Sequence, residues 1–114
     1  MREVEISNAK ITAQYWNSEH GLSHWIMLSG ENWGIGFGGY GLNGRYASAW
    51  IEGVMKALEL ETLSDKTLVG MVIRVKHTGW IGGAIAIGHP IKDLWFEPKA
   101  VFEKMMAEDK KNER

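Results

Sequence analysis

The stretch Trp33-Gly-Ile-Gly-Phe-Gly-Gly-Tyr-Gly-Leu-Asn-Gly44, followed at once by Arg45 and Tyr46, decides how the chain is read. Half of it is glycine. Trp33, Ile35 and Phe37 alternate with Gly34, Gly36 and Gly38, so Trp33 to Tyr40 reads as a strand with one apolar and one bare face. A strand is written this way where something approaches its backbone closely. A helix, a second subunit and a ligand are all open as the visitor. Gly34, Gly36 and Gly39 also match G-x-G-x-x-G, as do Gly36, Gly38 and Gly41. Their placement argues against a dinucleotide loop, whose glycines sit at the turn into a helix that holds the pyrophosphate. Here they lie inside a strand, and Glu59 and Glu61 fall at the end of the following helix. The glycine stretch runs into Arg45-Tyr46 and not into the Lys followed by Ser or Thr that a P-loop needs. An anion-binding nest of glycine N–H groups remains, with Arg45 just beyond it.

Upstream, Val4 to Asn17 alternates loosely, with Ile11, Ala13 and Tyr15 expected on one face and Thr12, Gln14 and Trp16 on the other. Asn17 to Gly21 is turn chemistry, and Leu22 to Ser29 is a second, antiparallel strand. Downstream, Trp50, Ile51, Val54, Met55 and Leu58 give Tyr46 to Glu61 one apolar helical face. Gly53 inside that helix marks a close packing contact. Leu63 to Thr67 reads as a loop. Leu68 to Thr78 reads as a strand with Val69, Met71, Ile73 and Val75 inward and Arg74 and Lys76 outward. Gly79 to Gly83 makes a turn. Ala84 to His89 is a strand with Ile85 and Ile87 inward, stopped by Pro90. Ile91 to Phe96 is a connector. A last helix opens at Glu97-Pro98, with Val101, Phe102, Met105 and Met106 on its apolar face. The order is βββ-α-ββ-α, an α+β fold with a largely antiparallel sheet and two helices packed on it. Residues 1–106 form one domain, and 107–114 a charged tail expected to fray.

Composition narrows the function. At 114 residues the chain is the size of one domain. Thirteen basic and fourteen acidic residues nearly cancel, which argues against duplex nucleic acid as a partner. The absence of cysteine removes thiolate chemistry and cysteine zinc sites. No apolar run approaches the roughly 20 residues of a membrane helix, and no apolar leader is present, so a cytoplasmic protein is expected. Six Trp, three Tyr and three Phe are more flat rings than core filling needs, and suit an interface or a stacked ligand. His20 and His24 share no helical face and lack a third ligand, so no metal is expected. No nucleophile with a base is apparent, so neither an enzyme nor a cofactor is expected. His89, before Pro90, reads as a hydrogen-bonded turn residue.

Several segments together resemble a known family. They are Glu19-His-Gly21, Trp33 to Tyr40, the helix and loop from Trp50 to Ser64, Arg74-Val-Lys76, Ile87-Gly-His89 and Lys92-Asp-Leu-Trp-Phe96. From about Ile6 to Phe102 the chain resembles small phage and prophage proteins that include the anti-Thoeris sponges. The resemblance implies a host-cytoplasmic sponge that sequesters cyclic ADP-ribose isomers, and in some members cyclic oligonucleotides, without cleaving them. It also implies a homo-oligomer, a dimer or a hexamer, whose ligand is gripped by arginines and an aromatic ring with both subunits contributing. The candidate ligand-binding residues are then Arg74, Arg45, Lys92, Lys76 and His89, with Phe37 and Tyr40 as stacking rings. The alternative is a module that inhibits a host protein through a Trp-rich surface.

Overall fold

The structure, a computed structural model, describes residues 3–79 and 83–112. Trp80, expected in the turn between two strands, lies outside the described residues. Six antiparallel strands form one sheet: β1 (Glu5–Asn17), β2 (Ser23–Ser29), β3 (Gly34–Gly38), β4 (Val72–His77), β5 (Ala84–Gly88) and β6 (Trp95–Phe96). Their order across the sheet is β3-β2-β1-β4-β5-β6. Helices α1 (Arg45–Leu58) and α3 (Pro98–Asn112) pack on one face, and a short α2 (Asp65–Leu68) sits beside β1. The α+β reading holds, with one strand and one helix more than the periodicity revealed.

The extra elements have local causes. In Ser64-Asp-Lys-Thr67 the Thr67 hydroxyl accepts the Ser64 N–H at 2.9 Å and donates to the Thr62 carbonyl at 2.9 Å. This winds one helical turn where a loop was expected, and it buries Leu68 at the end of α2 rather than in a strand. Strand β4 therefore starts only at Val72, and Val69 is exposed. Trp95 and Phe96 are a strand, not a connector, because they pair with Gly88 and Ile87. Helix α3 runs through most of the segment expected to fray, since Arg45 and Tyr46 of α1 both bind Asp109.

Two bulges redirect side chains. In β1 the pairing with β2 shifts between Ile11 and Ala13. Because side chains alternate, one extra residue swaps the faces of everything beyond it. Ile11 stays in the core, while Ala13 and Tyr15 turn to the side away from the helices and Gln14 and Trp16 turn toward it. Ile11, Ala13 and Tyr15 thus do not share a face. A second shift between Lys76 and His77 brings Ala84 against the core in place of Ile85.

Trp50 of α1 is fully buried at the centre of the core. Phe37 stacks on it at 5.2 Å between centroids, and Phe96 meets it edge-on at 5.4 Å. Its indole N–H donates to His24 Nδ1 at 2.9 Å. That contact fixes the tautomer: the His24 proton must be on Nε2, which donates to Gln14 Oε1 at 2.6 Å. Gln14 Nε2 then donates to Asp65 Oδ1 at 2.6 Å, carrying the relay to the surface. Trp16 stacks over the imidazole at 4.2 Å.

Two outcomes are expected. A Cβ at Gly53 would stand 2.3 Å from the buried Phe96 ring. Gly53→Ala should therefore lower Tm by about 4–10 °C, although alanine is the better helix former. A raised Tm would mean that the ring yields. Burial lowers the His24 pKa from 6.5 to about 4. The neutral form is the stable one, so the contribution is complete above pH 6.5 and lost as pH falls toward 4, by about 3 kcal/mol. NMR of the imidazole should show the neutral Nε2–H form until about pH 4; titration near 6.5 would contradict the relay.

Candidate functional site

Residues opposite each other in an antiparallel pair share a face, so the register lists what the helix-free side presents. Across β2 and β1 these are Trp25 with Tyr15, Met27 with Ala13, and Ser29 with Lys10. Across β1 and β4 they are Lys10 with Val72, Asn8 with Arg74, and Ile6 with Lys76. Gly88 and Ala86 continue the last two rows on β5, and Trp95 pairs with Gly88 from β6. On β3 the face is Gly34, Gly36 and Gly38. None of these positions is a carboxylate, while Lys10, Arg74 and Lys76 are cations. A chain with net charge −1 has placed its acids elsewhere.

At the β6 end the face becomes a built site. The Trp95 indole lies against Gly88, where an added Cβ would stand 2.5 Å from the ring. Its N–H is held by Asp93 Oδ1 at 2.9 Å. Arg74 Cζ and Lys76 Nζ lie over the ring, 4.8 and 4.3 Å from the centroid. Arg74 also fastens the neighbouring loop: Nε donates to the His89 carbonyl at 2.7 Å and Nη2 to the Lys92 carbonyl at 2.6 Å. Neither Arg74 nor Lys76 has a carboxylate partner among the described residues.

His89 is indeed a turn residue. Its Nδ1 accepts the N–H groups of Ile91 and Lys92 at 3.1 and 3.0 Å, so Nε2 faces Glu59 at 3.1 Å as a donor. Lys92 Nζ binds the same carboxylate at 2.8 Å. The Lys92 hydrogen bond, helped by the Lys92 charge, holds the Glu59 carboxyl below its ordinary range against partial burial.

Arg74, Lys76, His89 and Lys92 are thus brought together, and three other candidates are not. Phe37 is fully buried against Trp50 and offers no face to a ligand, because its strand turns it toward the helices. Arg45 is committed to α3 through the Met105 carbonyl at 3.0 Å and Asp109. Tyr40 lines a separate cleft of about 460 Å³ with Tyr46, Lys99, Phe102 and Met106. Burial, and then the charge of Glu97, raise the Tyr40 pKa. The bare side of the glycine strand is filled from within: a Cβ at Gly36 would stand 3.1 Å, and at Gly39 2.3 Å, from the Trp25 ring. The visitor is the chain's own tryptophan, and the Gly39 N–H is bonded to the His24 carbonyl at 3.0 Å, which removes it from any nest. Trp95, Trp25 and Tyr15 are the rings that sequence reasoning passed over. The signal for Trp25 was its alternation with His24, Ile26 and Leu28.

Among the described residues, no group of three or more His, Asp or Glu stands where a metal ion could be held, and no helix is long and apolar enough to cross a membrane. No protein-family model, curated protein or solved structure matches the chain.

Arg74→Lys keeps the charge but cannot span both loop carbonyls. Amide exchange across residues 89–94 should quicken about tenfold, with a stability loss of about 1–2 kcal/mol. Unchanged exchange would mean that the loop does not depend on Arg74.

Proposed function

We propose that the chain is a non-enzymatic binding protein that sequesters a small cyclic nucleotide signal on its open sheet face. The ligand class is a cyclic ADP-ribose isomer or a cyclic oligonucleotide. The setting is immune evasion in a host cytoplasm, and the protein works as a homo-oligomer. The observation that carries this reading is Lys76 and Arg74 poised over Trp95 on a face whose register positions include no carboxylate. A nucleotide needs a ring to stack on and fixed donors for its phosphates. Trp95 supplies the first once the unanchored Lys76 swings from the ring to the phosphates, where it and the remaining donors of Arg74 supply the second. Arg74 is already anchored by two carbonyls, so little side-chain entropy is lost when ligand arrives.

A protein-docking role is the second reading. It is favoured by the cleft at Tyr40, Phe102 and Met106, beside the exposed Val101. A pull-down that recovers one stoichiometric partner, lost on Met106→Glu, would support it.

Calorimetry with cyclic ADP-ribose isomers and with cyclic di- and trinucleotides tests the first reading. One of them should bind at micromolar Kd or better. Lys76→Gln should weaken it about tenfold with Tm unchanged to within about 2 °C, because Lys76 makes no ion pair among the described residues. Binding by none of these ligands, or full affinity in Lys76→Gln, would end the proposal.

A further inference from the structure

The face whose strand positions carry no carboxylate does not stop at Trp95. Four strand spacings away, on β2 and β1, Trp25 and Tyr15 stand opposite each other as a second pair of rings. Trp25 rests on Gly36 and Gly39 and is half-buried, while Tyr15 is 46% exposed. Between the two ring platforms lies Lys10, exposed and without an ion pair among the described residues. The sheet therefore presents ring, cation and ring-with-cations in sequence, with Met27, Ala13 and Val72 as apolar floor.

We infer that this face takes a single-stranded oligonucleotide, one base on Trp95 and another on the Tyr15–Trp25 pair, with Lys10 on the phosphates between. This rests on the reading of Trp95, Arg74 and Lys76 as a nucleotide site and extends its ligand class. Strands lie about 4.8 Å apart and rise about 3.3 Å per residue, which separates the platforms by roughly 25–30 Å. A mononucleotide or cyclic dinucleotide does not bridge that span. An extended strand of about four to eight nucleotides does, within the usual site size of single-strand binders. Stacking on aromatic rings is tolerant of sequence, and three cations suit a short strand better than a duplex. A second copy of the chain is the poorer occupant. Across a two-fold axis Lys10, Arg74 and Lys76 would face cations of the same set, with no carboxylate at the face's strand positions to answer them and Asp93 already held by the Trp95 indole.

The test is fluorescence anisotropy at about 50 mM salt, where phosphate contacts count most. The probes are labelled oligo(dA) and oligo(rA) of two, four and eight nucleotides, with a cyclic dinucleotide as competitor. Affinity should rise at least about tenfold from two to eight nucleotides, and the DNA and RNA arms show which sugar is preferred. Tyr15→Ser, at an exposed position, should weaken the octamer at least about fivefold and leave the cyclic dinucleotide unaffected. Lys10→Gln should flatten the salt dependence. Affinity independent of length, or an octamer indifferent to Tyr15→Ser, overturns this inference while a bound cyclic ligand leaves the smaller site standing. If linear and cyclic nucleotides both fail to bind, the two readings fall together.

Discussion

A buried indole N–H is a donor with no alternative, and in this fold it must be answered by His24. Trp50 sits at the middle of the core with the rings of Phe37, Phe96 and Tyr40 around it, and its N–H is bonded to none of them. Strand β2 supplies the acceptor, the His24 Nδ1 at 2.9 Å. The imidazole that does so must stay neutral, so its other nitrogen needs an acceptor in turn. Gln14 provides it, and can do so only because β1 is bulged after Ile11. Without the bulge, strict alternation from Ile11 would point Gln14 to the opposite side. The register irregularity, the α1 docking angle and the seat of α2 at Asp65 are thus parts of one hydrogen-bond relay.

The same bulge shapes the other side of the sheet. By turning Gln14 and Trp16 toward the helices it turns Ala13 and Tyr15 away from them. Tyr15 then stands beside Trp25, whose ring needs the bare backbone of Gly36 and Gly39 to lie on. An antiparallel sheet with one solvated face normally alternates apolar-in with polar-out. Here the outward set mixes rings and cations, with no carboxylate at its strand positions.

What the sequence disclosed follows from where periodicity is clean. Helix α1 was legible because Trp50, Val54 and Leu58 repeat with a helical period, and Gly53 was legible as a contact because an unforced glycine inside a helix is unfavourable. Strand β4 was legible from Ile73 to Lys76, and with it the pairing of Arg74 and Lys76 on one face. Hidden were features that depend on a single residue: the bulge at Thr12, the Thr67 side chain that winds α2, and the two-residue strand β6. Missing β6 hid Trp95, since a ring in a connector has no assigned face. The glycine strand misled differently. Its bare side does receive a visitor, but one supplied by the next strand, and no local pattern tells an internal ring from an external one.

Glu59 shows how the two sides of the sheet are joined. It occupies the left-handed position that ends α1, with φ of 53°, where glycine is the easier residue. For a side chain that conformation costs of order 1 kcal/mol. The carboxylate gives a reason to accept the cost. From that position it holds both His89 and Lys92, and so fixes the loop whose carbonyls orient Arg74. Arg74 in turn lies over Trp95. A strained residue at the end of the central helix is therefore connected, through one loop and one guanidinium, to the ring on the far face of the sheet. Glycine at this position would relax the backbone and release the loop. Glutamate keeps the helix end and the open face in register.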